Sequence, residues 1–166
     1  MTIYEWNKMT KEEIIEKLQK AKNSDLQWID RAKNLIAGTK NDEGVVPVEA
    51  NESEFGKWFY NEGQKLKKLS NNPLECMKNI EILHQQLHDR YFEIYHIYFS
   101  DAKKAGFFSK LMGAKRQTLS EEEKQHVKEL LNNMQRHAKE FVDEVERLER
   151  RLEAVAQEKI DSIMQM

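Results

Sequence analysis

The sequence predicts an all-α fold, an antiparallel four-helix-bundle-like domain with a long C-terminal amphipathic, coiled-coil-like helix, on three observations. Only two prolines and six glycines interrupt 166 residues, few breakers for a chain of good helix formers. Apolar residues recur at steps of three and four along most of the chain, the period of one helical face. Capping signals stand where those stripes begin.

The first helix is expected to start near Thr10, where Thr10 and Glu13 have capping-box spacing. Its inward stripe reads Ile14, Leu18, Ala21, Asp25, Trp28, Ala32, Leu35, with Gly38 as the C-cap. Asp25 is the one charged residue on that stripe. Residues 38–52, with Gly44 and Pro47, read as a loop. A second helix is expected over 52–69, with Phe55, Phe59, Leu66 and Leu69 on one side. Gly56 and Gly63 lower its propensity and point to close packing or a bend. The third helix begins with Asn72 as N-cap, Pro73 in the first helical position and Glu75 three after the cap. Met77, Ile80, His84, Leu87, Tyr91, Tyr95 and Tyr98 share one of its faces.

After the stretch DAKKAGFFSKLMGAKR at 101–116, Ser120 and Glu123 repeat the capping-box spacing. Val127, Leu131, Met134, Ala138, Phe141, Val145, Leu148, Leu152 and Val155 then alternate by fours and threes. Continuous to the end of the chain, this helix would measure roughly 70 Å, longer than a bundle of residues 10–99 can cover. It is therefore expected to pair with a second copy or another protein. The chain thus divides into a bundle over 1–99, a basic amphipathic hinge over 100–117, and a long helix over 118–166 used for dimerisation or docking.

Composition narrows the setting. A net charge of −2 argues against nucleic acid as a partner. Residues 100–116 alone carry five basic groups against one acidic group. With Phe107, Phe108, Leu111 and Met112 beside those charges, residues 103–116 have the composition of a membrane-surface helix or of a turn covering the bundle end. No run has the length of a membrane span and no signal peptide is evident. The single cysteine, Cys76, cannot build a disulfide framework, so a cytoplasmic location is expected.

His84 and His88 carry the chemistry. At i, i+4 their rings leave one helical face within about 6 Å of each other, the spacing from which two imidazoles share a metal ion. Two polar residues at a helix seam account for the same spacing. Glu81-x-x-His84 and Glu93-x-x-His96 match the E-x-x-H of di-iron bundles, but both lie on one helix, where that site needs two. There is no Gly-rich phosphate loop, no nucleophile elbow and no Cys–His pairing for a protease, so the chain is not expected to be an enzyme.

Phe55-Gly56-Lys57-Trp58, Gly63, the Asp25-Leu26-Gln27-Trp28 segment and the His84/His88 pair resemble, in order and at suitable intervals, the chemoreceptor zinc-binding family. The resemblance spans about residues 20–95. It implies a helical-bundle sensor in which three histidines and one cysteine hold zinc. His84 and His88 match two of those ligands, and Trp28, Gly56 and Trp58 match supporting positions. The other two ligands differ: Asp25 stands at the first histidine position, three before Trp28, and Ser53 at the cysteine position, three before Gly56. A carboxylate is a legitimate zinc ligand; a neutral hydroxyl is a poor substitute for a thiolate. Three states follow: zinc on Asp25, His84 and His88 with water or Glu52 or Glu54 in fourth place; another divalent metal with more oxygen ligands; or no metal, with Asp25 hydrogen-bonding a histidine. By this resemblance the chain is expected to be a bacterial signal-transduction domain, in chemotaxis or cyclic-dinucleotide signalling, that acts on a separate signalling protein through helix packing. The rival is a structural helical adaptor whose metal site has degenerated.

Overall fold

A computed structural model describes residues 9–39, 47–69, 73–99 and 116–165. The chain is all-α, and among the described residues there is no strand. Helix α1, Lys11–Ala37, starts at the expected capping box: the Glu13 N–H donates to Thr10 Oγ1 at 3.2 Å and the Thr10 N–H to Glu13 Oε2 at 2.7 Å. It ends at Gly38, whose φ of 71° lies in the left-handed region that glycine adopts without a Cβ clash. Every residue of its expected stripe, Asp25 included, is buried. Helix α3, Pro73–Tyr98, buries its whole stripe as well, including both histidines. The Asn72 cap expected before it lies outside the described residues, as does the hinge apart from Arg116 and Gln117.

Helices α1 and α3 run in the same direction. Asp25 meets His84, Trp28 meets His88 one turn on, and at the far end Arg116 links the two: its guanidinium donates to the Leu35 and Ile36 carbonyls and lies 4.2 Å over the Tyr98 ring. Helix α4, Glu121–Glu153, opens on the second expected capping box and runs the opposite way, Lys22 of α1 pairing with Glu149 at 3.1 Å.

The second helix differs from expectation. Instead of one element over 52–69 there is a 3-10 turn Ala50–Glu52, a six-residue helix α2, Glu54–Phe59, and a 3-10 stretch Glu62–Lys68. The break falls at Asn61, whose φ of −110° and ψ of −95° are not helical. Gly56 explains why the segment cannot straighten. A Cβ there would lie 1.9 Å from the Ala50 carbonyl oxygen, so the turn folds back onto the helix through the space a side chain would occupy. Residues 47–69 descend along the bundle as its fourth wall, from Val48 at the level of His88 to Lys65, whose Nζ donates to the Met164 carbonyl at 3.0 Å.

The last helix is also shorter than expected. It stops at Glu153, and a separate helix α5, Gln157–Met164, folds over the end of the bundle, burying Ile160, Ile163 and Met164. At 33 residues, α4 is roughly 50 Å long. Its stripe from Val127 to Leu152 is covered within the chain by α1 and α3, with Leu130 fully buried and Leu131 only partly so. The surplus apolar length that suggested pairing with a second copy is therefore consumed internally, and α4 shares one bundle with α1 and α3.

Among the described residues the core forms two apolar clusters. One gathers Ile14, Leu18, Met77, Ile80, Phe141, Val145 and Ile160; the other gathers Trp28, Ala32, Leu87, Tyr91, Met134 and Ala138. Asp25, His84 and His88 lie between them as a polar layer at mid-height.

Gly56→Ala should lower stability by about 1–3 kcal/mol, because a clash with backbone cannot be relieved by a rotamer change, although alanine is the better helix former by about 1 kcal/mol. Urea unfolding checks this; an unchanged or raised midpoint would show that the turn can yield.

Candidate metal centre

Asp25, His84 and His88 are 1%, 1% and 3% exposed, and each offers a ligand atom within 4.8 Å of the others. Three neighbouring elements position them. Helix α1 supplies the carboxylate, the i, i+4 spacing on α3 supplies the rings, and the 47–53 segment closes over both. His84 packs edge-on against Phe55 of α2, with ring centroids 5.0 Å apart, and tilts against Phe141 of α4 at 5.8 Å. Trp28 stands 4.8 Å from the His88 ring, and the two imidazoles are 4.6 Å apart.

The hydrogen bonds determine which nitrogens are available. His88 Nδ1 lies 2.7 Å from the Val48 carbonyl oxygen, which can only accept, so Nδ1 carries the hydrogen. Its other nitrogen, Nε2, is then a bare lone pair, buried and without a hydrogen-bond partner. His84 Nε2 lies 3.1 Å from the Ala50 carbonyl oxygen and 3.1 Å from Ser53 Oγ, which makes it a donor. His84 Nδ1 faces Asp25 Oδ2 at 3.1 Å. A lone pair and a carboxylate oxygen do not sit at that distance without a cation between them. The position requires a proton or a metal ion.

The residues therefore fit a divalent metal. Asp25, the Nδ1 of His84 and the Nε2 of His88 form a mixed oxygen and nitrogen donor set. Each ring offers its second N–H to a backbone carbonyl, the arrangement that orients metal-binding imidazoles and raises their basicity. The orphaned Nε2 of His88 is the strongest sign, because a buried acceptor left unpaired costs about 1–3 kcal/mol.

The other expected site residues fall outside this donor set. Ser53 is next to His84 but at its Nε2, on the ring edge away from Asp25. Glu52 and Glu54 are exposed. Cys76 is buried in the lower apolar cluster, where Arg151 donates to its Sγ at 3.1 Å. Trp28 lines the site. Trp58 is half-buried beside Gly63, its Nε1 without a partner. His96 packs edge-on against Phe92, with ring centroids 4.3 Å apart, and does not join the cluster. The sequence reading missed the Val48 and Ala50 carbonyls, whose role has no side-chain signature, and Phe55 and Phe141 as walls of the site.

His88 also has a distinct titration. Burial first, then the neighbouring His84, hold its pKa below the ordinary 6.5, against the opposing pull of the Val48 carbonyl, Asp25 and Asp89. The native state thus resists a proton that the unfolded chain accepts. The stability this represents is present in full above the unfolded value and is lost as pH falls through the folded one. In chelator, urea midpoints should fall between about pH 7 and 5, and His88→Gln should flatten the decline. His137, lowered mainly by its own burial, accounts for part of what remains. An equally steep decline in His88→Gln would refute this assignment.

Residues 25–95 match the model of the chemoreceptor zinc-binding domain. The matched stretch opens at Asp25 and contains Ser53, His84 and His88, so the resemblance read from the Trp28, Phe55–Trp58 and histidine motifs is borne out over that range. Neither the curated proteins nor the solved structures include a match to the chain. No helix among the described residues is long and apolar enough to cross a membrane.

Proposed function

We propose, from the match of residues 25–95 to the chemoreceptor zinc-binding domain, that this chain is a metal-responsive signal-transduction domain acting on a separate signalling protein. Asp25, His84 and His88 take one divalent ion, zinc foremost, and the buried, unpartnered Nε2 of His88 carries that reading. When bound, zinc supplies a positive centre that two imidazoles and a carboxylate share in a site closed to water.

The chain's own residues turn occupancy into packing. Asp25 belongs to α1 and the histidines to α3, so a common ligand draws the two helices together at the one level where apolar contacts do not hold them. The Val48 and Ala50 carbonyls keep both rings turned inward. Phe141 lies against His84 and passes a shift of that ring to α4. These elements give the domain two packings separated by the state of one polar layer, the kind of bistable element a regulatory partner reads.

A second reading has its own support. His84 has partners on both nitrogens within the chain, so a structural adaptor could retain the triad as a hydrogen-bonded network without metal.

Elemental analysis of protein purified without chelator and then equilibrated with zinc separates the two. The sensor reading expects about one zinc per chain, lost in His84→Ala and His88→Ala. It also expects a melting temperature raised by zinc, since zinc at a hundredfold excess over its dissociation constant stabilises by about 2.7 kcal/mol. Absence of stoichiometric zinc in the wild type would favour the adaptor.

A further inference from the structure

Ser53 occupies the sequence position from which the matched family supplies a ligand, yet its bonding here is already complete. A serine hydroxyl has one hydrogen to donate and two lone pairs. The hydrogen goes to the Ala50 carbonyl at 2.7 Å. One lone pair accepts the Gly56 N–H at 2.9 Å, capping the start of α2. The other faces His84 Nε2 at 3.1 Å, and that nitrogen must be a donor because it also faces the Ala50 carbonyl at 3.1 Å. Nothing remains on Oγ to hold a metal. The side chain is also placed wrongly for one: the lone pair of His84 Nδ1 points at Asp25, on the far side of the ring.

Among the described residues no other side chain takes the vacated role: the only histidine, cysteine, aspartate or glutamate atoms gathered at the site belong to Asp25, His84 and His88. The rings around them leave room for little else. Phe55 and Phe141 stand 5.0 and 5.8 Å from the His84 ring, and Trp28 stands 4.8 Å from the His88 ring.

We propose that Ser53 is a positioning residue that holds His84 through Ala50 and the α2 cap, and is not itself a ligand of the metal. This rests on the metal reading above and deepens it.

Cobalt(II), which reports its ligands by absorption, tests this. The wild type should take up about one equivalent. Ser53→Ala should keep the stoichiometry and the band pattern while binding cobalt about ten- to a hundredfold more weakly, the usual effect of removing a group that orients a ligand. Ser53→Cys, which preserves size if alanine unfolds the cap, should show no sulfur-to-cobalt charge-transfer band in the near ultraviolet. A charge-transfer band in Ser53→Cys or an altered band pattern in folded Ser53→Ala would each overturn the proposal while leaving metal binding intact. Failure of the wild type to take up cobalt or zinc would overturn both.

Discussion

Two polar groups facing each other at 3.1 Å in the middle of an apolar bundle, the Asp25 carboxylate and His84 Nδ1, set a condition that the surrounding structure has to meet. Neither group can be solvated where it lies, and removing one partner of such a buried pair typically costs about 3–5 kcal/mol. Helices α1 and α3 therefore cannot slide by a turn without separating them. The pair fixes the register of two parallel helices whose apolar faces, rich in interchangeable Leu, Ile and Tyr, would specify it only loosely. The 47–53 segment completes the arrangement by bringing the Ala50 and Val48 carbonyls to the remaining ring N–H groups. That approach in turn requires a glycine at position 56.

The parts of this fold that could be read from the sequence are those set by local chemistry. The capping boxes at Thr10 and Ser120 form within three residues of themselves, and both are present. The stripes of α1 and α3 follow the helical period and are buried throughout. Asp25 stands out for the same reason: a charge at a core position of a regular pattern needs a partner, and His84 of the histidine pair supplies it.

The departures arise where distant contacts override local preference. Residues 62–68 contain good helix formers such as Gln64, Lys65 and Leu66, yet they form a 3-10 stretch that packs against α3 and α5. The turn at 154–156, Ala-Val-Ala, contains neither glycine nor proline. Reversal there lets Ile160 and Ile163 close the bottom of the core, a gain that no local pattern announces. The site divides along the same line. Its three side chains are legible as residue types, whereas in the sequence Ser53 shows only as the loss of a thiolate. Its actual partners are backbone groups and a helix cap, which depend on the path of the chain.

That reliance on backbone has a consequence for how the site tolerates change. Val48 presents its carbonyl to His88 while its own side chain is 37% exposed, so nearly any residue at 48 would leave the bond intact, apart from those that alter the backbone path. Ala50, at 1% exposed, has no such latitude, because a larger side chain would displace the carbonyl shared by Ser53 and His84. Two residues with equivalent roles at the centre should thus diverge at very different rates, one recording its duty in every related sequence and the other leaving almost no trace of it.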